Sequence, residues 1–156
     1  MGKNWSATRE TVVTPGTSLA LLAATTITDN TAVVGAAVLG LDVFTLVTLL
    51  LTISAKTFDG GTTLDVYVQY SPDEGTTWDD LAHFAQITSA AMAVGKYVAF
   101  VNARSASVVD RVVTDATLAA NSVRSIHWGD RVRVKCVGAN IAGLDTITVK
   151  VEGFFR

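Results

Sequence analysis

Two adjacent carboxylates, Asp79 and Asp80, and two histidines, His83 and His127, are the side chains of this 156-residue sequence best suited to proton transfer. Paired carboxylates can divide acid and base roles across one bond. Neighbours on a strand point to opposite faces, however, so Asp79 and Asp80 are expected as solvated turn charges. A nucleophilic site needs a serine or cysteine aimed at a histidine, with a third group to orient the ring. No G-x-S-x-G, H-E-x-x-H, C-x-x-C or phosphate-loop pattern occurs. His83 and His127 are therefore expected as surface or partly packed side chains, and the chain as a non-enzyme. Asp73 and Glu74 offer two carboxylates, too few oxygens for a good cation site by themselves, so no metal or cofactor is expected. The single cysteine, Cys136, excludes an internal disulfide. It alternates with Val132 and Val134, the pattern of a buried, inert thiol. Arg124, Arg131, Arg133 and Lys135 form a basic strip that fits either an acidic protein surface or a solvated outer face.

Residues 71–78 read SPDEGTTW. Ser71, Asp73, Gly75, Thr77 and Trp78 fit Ser-x-Asp-x-Gly-x-Thr-Trp, which resembles the Asp-box hairpin of sialidases and related propellers. The physics is that of a turn: Asp73 accepts backbone N–H groups, Gly75 supplies an unusual φ, and Trp78 is expected to plug the hairpin into the core. The box occurs once in a chain too short for a propeller, so the resemblance implies a structural turn and not a glycosidase.

The elements that must hold these residues are strands. Leu64, Val66, Val68 and Tyr70 fall on one side and Asp65, Tyr67 and Gln69 on the other, the alternation of a half-buried antiparallel strand. Before it, Phe58-Asp59-Gly60-Gly61 has the chemistry of a hairpin turn, which would pair residues 64–70 with the apolar run at 43–54. Residues 31–39 and 43–54 are apolar enough to be covered on both faces. Further strands are expected at 9–14, 19–28, 78–87, 96–102 and 105–113. Residues 131–136 and 147–151 alternate cleanly and are expected to pair as a closing hairpin. Thr88 to Gly95 stays open between a helical turn and a loop, and residues 114–125 read as a mixed loop. Residues 1–8 form an amino-terminal arm carrying Trp5, and 9–156 one domain. About eight strands without βα alternation argue for an all-β, two-sheet antiparallel β-sandwich of jelly-roll type, with a β-barrel as the alternative.

Composition narrows the partners. Only 17% of residues are charged against 49% hydrophobic, well below the roughly 25% charged content of ordinary soluble domains. Such a chain is expected to hide surface in an assembly. A net charge of -2 argues against a free nucleic-acid binder. Nine of the 14 acidic residues but only four of the 12 basic ones (Lys3, Arg9, Lys56, Lys96) precede Arg104, so neighbouring copies could present complementary faces. No secretory signal is expected from MGKNWSATRE. Residues 32–53 are long enough to span a bilayer, but Asp42 sits inside the run, Gly35 and Gly40 interrupt it and no basic cluster flanks it. Two buried strands account for it equally well.

The segments TLDVYVQYSPDEGTTWDDLAHF, GDRVRVKC and TITVKVEGFF, spanning 64–84 and 129–155, resemble the small all-β virion proteins of tailed bacteriophages. That resemblance implies a non-enzymatic head decoration or cement protein on the capsid exterior. It further implies contact with the major capsid protein, a homo-oligomer such as a trimer, and neither nucleic acid nor membrane as partner. Two alternatives stand beside it. One is a structural protein of the phage tail or connector. The other is a carbohydrate-binding β-sandwich using Trp5, Trp78, Trp128 or Tyr67 as stacking surfaces. Trp5 and the basic strip are the candidate protein interface.

Overall fold

The computed structural model describes residues 13–103 and 112–156. The arm at 1–8 with Trp5 lies outside the described residues, as does nearly all of the strands expected at 9–14 and 105–113. Ten strands follow in order: β1 (Ser18–Ile27), β2 (Val33–Val34), β3 (Leu46–Thr57), β4 (Thr63–Ser71), β5 (Asp79–His83), β6 (Ile87–Thr88), β7 (Gly95–Asn102), β8 (Ser122–Val123), β9 (Arg131–Ala139) and β10 (Thr146–Phe155). They form two sheets, the first ordered β1-β10-β3-β7 and the second β2-β9-β4-β5-β8, with β6 also on β4. The protein is an all-β, two-sheet antiparallel sandwich, and no closed barrel is formed.

The pairing has the order of a jelly roll. β1 pairs β10, β2 pairs β9, β3 pairs β7 and β4 pairs β5, all antiparallel, as in one long hairpin. Rolling that hairpin up brings β10 beside β3 and β9 beside β4. Period-two alternation makes each long strand amphipathic, and the buried halves meet between the sheets. Leu49, Leu51 and Ile53 of β3 and Ile147, Val149 and Val151 of β10 face Val66 and Val68 of β4 and Val132, Val134 and Cys136 of β9 in one cluster. Trp128 lies fully buried among them, edge-on to Phe155 at 5.9 Å, and donates its indole N–H to the Leu41 carbonyl at 3.0 Å.

Two expected hairpins are corrected. β3 and β4 belong to different sheets, so residues 58–62 form an arch between sheets and not a hairpin turn. β9 and β10 are likewise split, and residues 140–145 form a second arch. Alternation records which face of a strand is buried but not which neighbour it bonds. Two strands facing each other across a core therefore read like a hairpin. The arches latch onto one another. Asp145 accepts the Asp59 N–H and the Thr62 hydroxyl at 2.8 Å each, and Asn140 donates to the Gly61 carbonyl at 3.0 Å.

The apolar run also differs from expectation. Only Val33–Val34 and one bridge at Val38 represent residues 31–39 as strand. At Gly35 an added Cβ would lie 2.6 Å from the Leu21 carbonyl oxygen, so glycine permits that close backbone approach. β3 is buried on one face only: Val47, Leu49, Leu51 and Ile53 enter the core, while Leu46 is exposed and Thr48 and Leu50 are half-buried on the outer face. No helix among the described residues is long and apolar enough to cross a membrane.

Trp78 is half-buried and outside the core cluster. Its ring lies under the Arg133 guanidinium, 4.1 Å from centroid to Cζ, and its N–H is used by the Gly75 carbonyl within the turn. The tryptophan that plugs the core is Trp128. Trp128→Ala is therefore expected to cost about 3–5 kcal/mol in chemical denaturation, and Trp78→Ala only about 1–2 kcal/mol, because it loses a partly exposed cation–π contact and limited burial. Equal losses would contradict this placement.

Candidate interaction surfaces

The Asp-box-like turn is built from its own side chains. Ser71 Oγ accepts the Gly75 N–H at 2.6 Å and donates to Asp73 Oδ1 at 3.1 Å, and Asp73 Oδ1 accepts the Thr77 N–H at 2.6 Å. Hydrogen bonds from Thr77 lead the causes that hold the Asp73 carboxyl below the ordinary aspartate range. Glu74 and Gly75 both carry positive φ, 58° and 99°. Among the described residues no group of three or more His, Cys, Asp or Glu side chains is placed to hold a metal ion.

Asp79 and Asp80 are not solvated turn charges. They are 1% and 0% exposed and lie within β5, not in the turn. The register between β4 and β5 slips by one residue between Val68 and Gln69, with Leu81 as the extra residue. Both carboxylates engage a single segment, residues 114–118. Asp79 Oδ1 accepts the Thr114 N–H at 3.0 Å and the Arg124 Nη1 at 2.9 Å, and its Oδ2 accepts the Tyr70 hydroxyl at 2.7 Å. Asp80 accepts three successive backbone N–H groups, from Ala116, Thr117 and Leu118, at 2.9–3.0 Å, and Gln69 Nε2 at 2.9 Å. Ala116 sits at φ 57° in this concave run of amides.

The network extends across the outer face of the second sheet. Gln69 also donates to Asp115 at 2.8 Å and accepts from Arg133 Nε at 3.0 Å. Lys135 pairs with Asp115 at 2.8 Å, and this bond leads the causes that depress the Asp115 carboxyl. His83 is buried, packed more completely than the surface or partly packed side chain expected. Its ring stacks on Tyr67 at 4.0 Å, with Nδ1 against the Leu118 carbonyl at 2.7 Å and Nε2 against Asp65 at 3.0 Å. Burial pushes the Asp65 carboxyl up, but hydrogen bonds from His83 and Gln86 outweigh it and hold it below the ordinary range. β4 is thus buried on both faces at Tyr67 and Gln69, where alternation predicts a wet side.

Most of the basic strip is engaged within the chain, while Arg131 Nε has no hydrogen-bond partner. Arg124 binds Asp79, the Asp80 carbonyl and Thr114; Arg133 covers Trp78; Lys135 holds Asp115; Arg131 lies 3.8 Å from Asp130. His127 is exposed beside Trp128, with Nε2 near the Asp42 carbonyl at 3.1 Å. Of the stacking surfaces considered for a carbohydrate, Trp5 lies outside the described residues. Trp128 and Tyr67 are buried and one face of Trp78 is covered by Arg133. Cys136 is buried, its thiol pushed up to about 12 by desolvation.

The first sheet presents the opposite situation. On its outer face, cross-strand rows read Phe154, Thr48, Phe100 and Glu152, Leu50, Val98 across β10, β3 and β7. Phe100 is 71% exposed, Val98 52% and Leu46 45%, with Leu50 and Phe154 half-buried beside them. No described segment covers these rows. Residues 96–102 alternate Tyr97, Ala99 and Val101 with Val98 and Phe100, apolar on both sides, and that pattern is the sequence signal that leads to this surface. The aspartate network lacked such a signal, because the partners that cover it, residues 114–118 and Arg124, lie 35 or more residues from the carboxylates they bond. Comparison with protein-family models, curated proteins and solved structures finds no match to this chain.

The carboxylates of Asp65, Asp115 and Asp145 are all depressed in the folded chain. Each contributes stability that is present above its unfolded pKa and lost as pH falls through its folded value. The melting temperature is expected to be flat near neutrality and to fall in acid. Lys135→Met should lower stability at neutral pH by at most about 1 kcal/mol, since the pair is partly exposed. That deficit should shrink toward acid as Asp115 becomes protonated. A deficit independent of pH would place Lys135 outside the Asp115 linkage.

Proposed function

We propose that this chain is a non-enzymatic structural protein of a tailed-bacteriophage virion, a head decoration or cement protein that seats on the capsid exterior and bridges major capsid subunits. The observation that supports this reading best is the exposed apolar cluster on the outer face of the first sheet, where Phe100, Val98, Leu50 and Phe154 stand in two adjacent cross-strand rows beside Thr48 and Glu152. Scattered exposed apolar residues are ordinary, but contiguous apolar rows are a feature of contact surfaces. The chain's low charge and the resemblance of residues 64–84 and 129–155 to phage virion proteins point the same way.

In this reading the contact is made by burial of apolar area and multiplied by symmetry. Each copy needs only a modest contact, because several copies joined as a homo-oligomer engage a repeating capsid lattice together. The interface lies on the first sheet instead of the basic strip, where Arg124 and Lys135 are paired with Asp79 and Asp115 and Arg133 is held by Gln69 and Trp78. Structural proteins of the tail share the same chemistry and are separated from this reading by location on the particle.

The test is reconstitution on particles of the source virus that lack this chain. Wild-type protein is expected to restore occupancy on the capsid shell in cryo-EM. Phe100→Asp, which places a charge in the apolar row without entering the core, is expected to reduce binding by about tenfold or more. Density confined to the tail, or full shell occupancy by the variant, would overturn the assignment.

A further inference from the structure

Sheet edges in natural proteins are protected by bulges, prolines or charges, because an open edge pairs with any strand that reaches it. The two edges of the first sheet differ in this respect. β1 slips register twice against β10, at Ala20/Leu22 and at Leu22/Thr25. β7 runs against β3 from Gly95 to Asn102 without a slip. It contains no proline and a single charge, Lys96, at its start. Among the described residues no strand pairs with its free side.

The direction of its backbone groups follows from one bond. Ala103 donates its N–H to the Thr45 carbonyl at 2.7 Å, and residues of an antiparallel ladder alternate between facing the partner strand and facing away. Tyr97, Ala99 and Val101 therefore turn N–H and C=O toward β3. Lys96, Val98, Phe100 and Asn102 turn theirs to the free side, and their side chains stand on the outer face.

We propose that β7 pairs antiparallel with β7 of a second copy of this chain, about a two-fold axis at Ala99, joining two four-stranded sheets into one continuous eight-stranded sheet. Self-pairing in this register sets Lys96 beside Asn102 of the partner subunit, so the only charges on the strand are kept at opposite ends of the ribbon. It also sets Val98 beside Phe100 of the partner subunit, twice, an aromatic against a β-branched side chain of the kind that stabilises cross-strand pairs. The interface is isologous and closes at two copies. The apolar rows of both copies then meet at the axis as one surface. The stoichiometry is even, where the phage resemblance alone implies a trimer. The pairing does not rest on the virion reading, since it is measured on the isolated chain.

Sedimentation velocity of the full 156-residue chain across a wide concentration range tests it. A species of twice 16.4 kDa is expected to grow with concentration. Val98→Pro removes an N–H that faces the free side and leaves the β3 ladder whole, the one setting in which an edge strand accepts proline. It is expected to sediment as a monomer, with circular dichroism and melting close to wild type. Should Val98→Pro misfold, the double variant Val98→Lys, Phe100→Lys sets like charges opposite one another across the axis and is expected to weaken association by about tenfold or more. A wild-type chain that stays monomeric throughout, or a folded variant of either kind that associates as wild type does, overturns the proposal.

Discussion

The Asp80 carboxylate has no exposed surface, and a carboxylate in that position is tolerated only if donors replace the water it has lost. It receives four: the amides of Ala116, Thr117 and Leu118 and the side chain of Gln69. Much of the second sheet depends on this. Because those amides must reach Asp80, residues 114–118 lie across the outer face of β4 and β5, where Asp115 meets Lys135 and the Leu118 carbonyl meets His83. Arg124 closes the same segment from the other side through Asp79 and Thr114. A strand face that would otherwise be wet becomes an interior, where Tyr67, Gln69 and His83 are buried and the polar atoms of Gln69 and His83 are bonded.

A two-sheet sandwich has two outer faces, and this chain treats them differently. The second sheet is covered by its own polypeptide through charged and polar bonds, which consume most of the basic strip. The first sheet carries no such cover among the described residues and displays Phe154, Leu50, Val98 and Phe100 in two adjacent rows that also hold Thr48 and Glu152. That asymmetry separates structural charge from a contact surface. The charged residues that first suggest a binding strip serve largely to hold the fold, and the most exposed side chains of the first sheet's central rows, Phe100 and Val98, are apolar.

How much of this was legible in the sequence depends on the range of the interaction. Alternation located β4, β9 and β10 and the apolar halves of each, because side-chain period and burial are local properties. It could not say that β3 and β4 bond to different neighbours, since strands packed face to face across a core carry the same pattern as strands paired edge to edge. The Gly60-Gly61 turn signal was read as a hairpin for that reason, although the chain there arches between sheets. The burial of Asp79 and Asp80 escapes a sequence reading for a different reason: apart from Tyr70 and Gln69, their donors come from residues 114–118 and Arg124, and nothing near positions 79 and 80 announces them. Trp78 and Trp128 exchanged roles because a tryptophan beside a turn motif resembles a core plug, while Trp128 is placed by its distant partners Leu41 and Phe155.

The central claim is that the outer face of the first sheet, and not the polar face of the second, is where this protein meets other molecules. Hydrogen–deuterium exchange, compared between dilute free chain and chain bound to the capsid particle proposed as its partner, tests it most directly. The account predicts new protection in peptides covering β3 and β7, and little change in residues 114–118 and β9, which are already closed by their own bonds. Protection appearing instead at β9 and the 71–78 turn, with β7 exchanging as freely as before, would contradict it.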